Sequence, residues 1–240
     1  MDSSGYVYIS GYTEGDLDGE TNQGDYDAFL TKYDSDGNKQ WTQLIGSDSS
    51  DRSQAVAVDS SGYVYISGYT EGDFDGYTNA GPILDGSEDA FLTKYDSDGN
   101  KQWTKLIGVA GEDESYAVAV DSSDNVYIGG TTHGALDGET YVNSADAFLT
   151  KYDSDGNRQW TELIGTIASE YTRAIDVDSS GNVYISGDVR TDLDGETNQG
   201  DYDAFLIKYD SDGNKQWTEL IGSSADDRTN CGITPNNHQE

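Results

Sequence analysis

The 240-residue sequence is poor in most of what usually stabilises a fold. Its one cysteine, Cys231, excludes an intrachain disulfide. Leu, Ile, Val and Phe make up only 42 of the 240 residues, and no apolar run approaches the roughly 20 residues of a membrane-spanning helix. The opening "MDSSGYVYIS" does not read as a signal peptide. Cations are scarce, with 13 Lys and Arg against 46 Asp and Glu and a formal net charge of -33. A field of that sign repels nucleic acid and anionic membranes, so neither is an expected partner. No phosphate loop, dinucleotide fingerprint or zinc-ligand spacing occurs.

Low aliphatic content with high charge is the usual mark of disorder. What is present argues otherwise. Eighteen Tyr and four Trp supply large buriable surfaces, and they recur at fixed intervals. The charge then makes the compact state self-repelling, so salt or divalent cations should help it fold; adaptation to high salt is an alternative origin.

The repeats set the architecture. Trp41, Trp103, Trp160 and Trp217 are spaced by 62, 57 and 57 residues, and "KYDSDGNKQW" begins at Lys32, Lys94 and Lys208, with an Arg variant at Lys151. The unit is 57 residues, with five more near 80–88 in the second copy. Each unit predicts four short strands, in the second copy 55–58, 63–69, 89–96 and 101–108. Tyr, Val, Ile, Phe and Thr fill them, and Asp, Gly, Asn and Ser separate them. The inner "AVAV" is small and apolar, "YVYIS" needs cover on both faces, and the "KQWT" strand is amphipathic. Such a graded sheet, packed between neighbours, is a β-propeller blade. The fold class is therefore all-β, four four-stranded antiparallel blades, with units at about 1–54, 55–116, 117–173 and 174–230.

"AVAVDSSGYVYISGYT", "DAFLTKYDSDGN" and the Trp resemble the bacterial beta-propeller repeat called SBBP, and the inner run is similar to NHL-type blades. That resemblance implies a part of a large secreted or surface protein, extracellular or at the cell surface, often without known activity. The family name implies seven blades, and this chain has four units.

The chain opens at the second strand of a unit, so the first strand of unit one must come from elsewhere. Each "LIG" isoleucine precedes the next inner strand by ten residues, and Ile221 plus ten reaches Cys231. "CGIT" (231–234) is thus the candidate closing strand, with 235–240 a disordered tail. The alternatives are a ring completed by a second copy and an arc of a larger seven- or eight-bladed ring.

Two acidic features are candidate sites. In "YDSDGN", Asp34, Asp36, Asp96, Asp98, Asp153, Asp155, Asp210 and Asp212 read as structural hairpin turns, because the bidentate Glu of a calcium loop is missing. In the long loops, Asp18, Asp75, Asp137 and Asp194 recur, and the next connections supply Asp51, Asp113, Glu170 and Asp227. If both loops leave one face, eight carboxylates crowd there. They are either a solvated acidic surface or a metal set; oxygen-only ligands suit Ca2+, the one cofactor considered. Asp27, Asp89, Asp146 and Asp203 read as strand-entry hydrogen bonders, and the repeated Trp as packing or a sugar platform. Symmetry breaks at His133, Arg190 and the 80–88 insertion with Pro82, Ile83 and Leu84; His238 lies in the tail.

Copied sites suit multivalent binding better than one asymmetric reaction. The expected function is a non-catalytic scaffold for binding or display, with a glycan or protein ligand, as a monomer or ring-completing homodimer. The alternatives are a hydrolase or lyase on the acidic face and a purely structural spacer.

Overall fold

The computed structural model describes residues 2, 4–80, 87–142, 144–230 and 232. It falls into two compact units, Met1–Ser115 and Tyr116–Glu240. The described residues form antiparallel sheets of the expected kind, one of three strands and three of four. Blade 1 is β1 (Val7–Thr13), β2 (Asp27–Tyr33) and β3 (Lys39–Ile45). Blade 2 is β4 (Asp51–Val58), β5 (Val64–Thr70), β6 (Asp89–Tyr95) and β7 (Lys101–Ile107). Blade 3 is β8 (Asp113–Val120), β9 (Val126–Thr132), β10 (Asp146–Tyr152) and β11 (Arg158–Ile164). Blade 4 is β12 (Glu170–Val177), β13 (Val183–Val189), β14 (Asp203–Tyr209) and β15 (Lys215–Ile221).

The inner strands start four residues earlier than the sequence pattern predicts, at Asp51 rather than Ala55. A register shift between Ser53 and Ala55 hid the polar "DRSQ" half from a simple alternation rule, and Thr172/Ala174 repeats it in blade 4. Of the proposed closing strand 231–234, only Gly232 is described, outside any strand; Cys231, residues 233–240, and Pro82, Ile83 and Leu84 of the insertion lie outside the described residues.

In the first unit β1 and β2 pack against β4, and one apolar cluster joins Leu30 and Ile45 of blade 1 to Val64, Ile66 and Phe91 of blade 2. In the second unit β9 and β10 pack against β12, and Tyr127 and Leu149 share a cluster with Ile185, Phe205 and Tyr209. "YVYIS" is covered on both faces where an inner strand is present: Val64, Tyr65 and Ile66 are fully buried. In β1, which has no inner neighbour in its sheet, Ile9 stands 45% exposed.

The inner turn explains the tyrosines. Asp59 Oδ1 accepts the Ser61 and Tyr63 amides, and its Oδ2 accepts the buried Tyr65 hydroxyl at 3.0 Å. Asp178 holds Tyr184 in the same way. A buried Tyr needs such an acceptor, and the turn Asp supplies it.

Candidate functional site at the blade junctions

The ten-residue repeat is one half of a clamp. Asp34 Oδ1 accepts the amides of Asp36 and Asn38 at 3.0 and 2.8 Å, and Gly37 takes φ +82°. Asp96, Asp153 and Asp210 make the same turn; the second aspartates, Asp36, Asp98, Asp155 and Asp212, contribute their backbone amides to it. The turn of one blade then seats on the blade before. Lys32 Nζ and Trp41 Nε1 of blade 1 both donate to Ser97 O in the blade 2 turn, at 2.7 and 3.2 Å. Lys151 and Trp160 of blade 3 grip Ser211 O of blade 4 at 2.8 and 3.3 Å. Gly99 and Gly213, with φ +85° and +87°, lie flat on those two indoles, so a Cβ there would approach the rings to 3.1 and 3.0 Å. The repeated Trp is a junction element, as the packing reading expects. Trp217, with no following turn on it among the described residues, is 39% exposed.

The long-loop aspartates have a backbone reason to recur. Asp18, Asp75, Asp137 and Asp194 have φ between +51° and +58°, and the glycines after them are also positive. Leu17 pairs with Glu20, and Leu193 with Glu196, across the Asp-Gly corner. Two consecutive residues at positive φ are what a type I′ turn requires, and Asp-Gly is a preferred pair for it. Their carboxylates then reach the outer strand. Asp18 is ion-paired with Lys39 and accepts the Thr42 hydroxyl; Asp75 pairs with Lys101; Asp137 with Arg158 and the Thr161 hydroxyl; Asp194 with Lys215 and Thr218 at 2.5 and 2.6 Å. The Lys39 and Thr42 donors hold Asp18 below the usual carboxylate range.

Asp51, Asp113 and Glu170 sit elsewhere, at the start of the inner strand, and Asp227 holds the matching position outside any strand. Asp51 N donates to Tyr26 O of the preceding blade at 2.7 Å, and Glu170 N to Ala145 O at 2.9 Å. Asp227 N repeats the contact on Tyr202 O at 2.7 Å, and Thr229 then bonds to Gly187 O and Asp188. The companions of this set are the strand-entry acids. Asp27, Asp89, Asp146 and Asp203 each accept a loop amide, from Gln23, Ala80, Val142 and Gln199. Asp27 and Asp51 are both fully buried, as are Asp146 and Glu170. The "LIG" glycine makes room for them: a Cβ on Gly108 would lie 2.2 Å from Asp89 Oδ1 and 3.1 Å from Asp113 Oδ2. Oδ1 of Asp27, Asp51, Asp89 and Asp203 has no hydrogen-bond partner. Burial pushes Asp51 up to about 6, against the Thr70 and Ser47 donors and with help from the Asp27 charge. Burial likewise lifts Asp89 to about 6 and Glu170 to about 7.

The eight carboxylates expected to crowd one face in four similar clusters are thus divided: Asp18, Asp75, Asp137 and Asp194 are ion-paired to the outer strand, Asp51, Asp113 and Glu170 are buried at the junctions, and Asp227 is not buried. Among the described residues no group of three or more His, Cys, Asp or Glu side chains is arranged to hold a metal.

Beside this frame lie residues that differ from copy to copy. In the first unit, Arg52 stacks on Tyr12 and Tyr26 at 4.9 and 4.5 Å and donates to the Tyr69 hydroxyl. Glu88 is half-buried; burial, then a hydrogen bond with Glu114 and the charges of Glu114, Glu112 and Glu71, lift it to about 8. Sequence reading missed this group; its signal was an acid at 88 where the other copies have Tyr26, Ala145 and Tyr202. In the second unit a cavity of about 640 Å3 opens between blades 3 and 4. It is lined by Val142, Thr166, Ile167, Arg190 and Thr191 among others. The matching hollow in the first unit, about 440 Å3, is lined by Gln23, Ser47, Asp48 and Asp73. His133 sits half-buried in the blade 3 loop at the position that Arg190 holds in blade 4.

A family profile described as a beta-propeller repeat, SBBP, matches residues 40–75 and 102–136. The chain is 32% identical over 251 residues to the regulatory protein FlaEY of Caulobacter vibrioides, covering 92% of this chain and 26% of that protein. It is 23% identical to the uncharacterized WD repeat-containing protein L264 of Acanthamoeba polyphaga mimivirus, over 61% of this chain and 13% of that one. It therefore spans about a quarter or less of these relatives. Among solved structures, a Bacteroides caccae protein of unknown function aligns at TM-score 0.45 and 10% identity, over 81% of this chain and 54% of that one. The gluconolactonase XC5397 of Xanthomonas campestris aligns at TM-score 0.41 and 15% identity, over 84% and 60%.

Proposed function

From a chain built of SBBP beta-propeller repeats, we propose a non-catalytic scaffold that presents ligand-binding surfaces, for a glycan or a protein, at its blade junctions. One observation carries this reading. At the two junctions where positions can be compared, frame residues repeat by role, whereas the exposed residues around the hollows change in charge and polarity. A constant frame with variable loop positions is how repeat proteins present binding surfaces. The extracellular or cell-surface setting is part of the same proposal and rests on the family resemblance alone. No helix among the described residues is long and apolar enough to cross a membrane. Calcium enters at one place, the Asp27 and Asp51 carboxyls with their unpartnered Oδ1 atoms. A melting temperature of chelator-treated protein that rises on adding CaCl2, with the rise lost in Asp51→Asn, is the outcome that assigns it there.

A glycan array read with the full chain tests the scaffold. Retention of a defined saccharide class without its cleavage supports it; turnover of the bound saccharide sinks it. A hydrolase remains the second reading because burial and its acidic neighbours lift half-buried Glu88 to about 8, as a general acid requires. Glu88→Gln abolishing turnover while sparing retention is the result that would favour it.

A further inference from the structure

The geometry points to an acidic-saccharide site, for a uronic-acid unit, in the cavity between blades 3 and 4. The inference rests on the scaffold reading and names the ligand class of one junction.

Three substitutions within the repeat set this cavity apart. Arg190 stands where the other copies have Glu14, Glu71 and His133; Ile167 stands where they have Asp48, Ala110 and Ser224; Val142 replaces Gln23, Ala80 and Gln199. In a chain of net charge -33, the rim acid Asp48 is thus replaced by an aliphatic side chain and Arg190 adds a guanidinium, while Asp192 and Asp194 keep the places of Asp73 and Asp75. Ile167 is 77% exposed and Val142 47%.

The guanidinium is available. Its ion pair with Asp201 is long, 3.9 Å, with Arg190 half-exposed and Asp201 largely in water, so it contributes little. Its other contact is the Tyr202 ring at 4.9 Å, which leaves its planar donor fork to meet a carboxylate in two parallel bonds. Of the acids that also line the cavity, Asp194 is ion-paired, whereas Asp192 is exposed and keeps its charge at the rim. Asp194 is paired with Lys215 and Thr218, and Asp192 Oδ1 accepts the Asn198 amide.

The remaining lining suits a sugar. Thr191 donates to the Thr166 hydroxyl at 2.6 Å, and Thr166 in turn to Glu170, so on one wall the Thr191 oxygen is left to accept from a sugar hydroxyl. Aliphatic Ile167 and Val142 suit the C–H face of a pyranose. Among the described residues no aromatic ring lines the cavity, so a neutral sugar would find no stacking platform there, and the carboxylate–guanidinium pair must supply the selectivity. The volume, about 640 Å3, lies within the range of small-ligand sites.

The test is isothermal titration of the full chain, in chelator and low salt, with trigalacturonate, with neutral maltotriose, and with a hexaglutamate peptide. The expected result is one trigalacturonate per chain, with maltotriose and hexaglutamate at least about tenfold weaker. Arg190→Glu and Ile167→Asp restore side chains that the blade 1–2 junction already accommodates, so both should fold. They should weaken trigalacturonate about tenfold or more and about threefold, in line with the loss of one charge-assisted bidentate contact and one apolar contact. Arg190→Gln is the milder companion should the Glu variant not fold. Absence of trigalacturonate heat, unchanged affinity in Arg190→Glu or Arg190→Gln, a stoichiometry near four, or tighter binding of hexaglutamate each overturns the inference. Maltotriose binding without cleavage would overturn it while leaving the scaffold reading standing; cleavage of either saccharide would remove the scaffold reading instead.

Discussion

The junction between blades 1 and 2 and the junction between blades 3 and 4 are built on one frame and finished differently. In both, a Lys and a Trp grip the next turn through one carbonyl oxygen, a glycine lies flat on the indole, and a buried strand-entry acid, Asp27 or Asp146, faces the "LIG" glycine. Yet where the first hollow is rimmed by Gln23 and Asp48, the second has Val142 and Ile167 with Arg190 beside them. Residues that repeat therefore belong to the mechanics of stacking blades, and residues that break the repeat are where ligand chemistry should be sought.

Changes to the frame should act alike at both junctions. The largest effect is expected from Gly46→Ala and Gly165→Ala, because a Cβ would lie 2.3 Å from the buried carboxyl of Asp27 or Asp146. Displacing either acid should cost about 3 kcal/mol by urea unfolding; a loss at one junction alone would break the comparison. Next comes pH. The folded values of about 6 for Asp51 and Asp89 and about 7 for Glu170 lie above their ordinary values of 3.8 and 4.5. Their stabilising protonation is complete below the ordinary values and lost as pH rises through 6 to 7. Asp34, Asp96 and Asp178, held low, act oppositely in more acid solution. The melting temperature should thus peak at about pH 5 and fall several degrees by about pH 8. In chelator, Asp51→Asn and Glu170→Gln should each raise it at pH 8 and flatten that slope, and a drop would contradict the buried-acid account.

A smaller effect separates filled from open clamps. Gly99→Ala meets both a positive φ and the Trp41 ring, whereas Gly37→Ala meets a positive φ in open space. Gly99→Ala should cost about 1 kcal/mol more than Gly37→Ala. Smallest of all, Trp217→Ala should change stability by less than about 1 kcal/mol, since its ring grips no turn among the described residues.

Blade number, strand order and the packing role of the Trp were legible because period-2 strands, Asp-Gly turns and a 57-residue period each have one dominant structural meaning. The Asp-Gly corner in "DLDGE" carried its own explanation, a type I′ turn, but an aspartate count draws attention to charge before backbone geometry. The Asp27–Asp51 pairing was not legible at all. Its members are 24 residues apart and meet only when one blade's strand entry abuts the next blade's inner strand, a relation fixed by tertiary packing. Glu88 escaped notice for a related reason: one acid among 46 is unremarked until burial and neighbouring Glu114 single it out.

The central claim, one frame used twice, is tested most directly by the unfolding free energies of Trp41→Ala and Trp160→Ala measured in urea at one pH. Each variant loses a junction indole and its hydrogen bond to the next turn, so the account predicts equal losses of about 2–4 kcal/mol. A large loss in one and almost none in the other would show that the two junctions are not the same device.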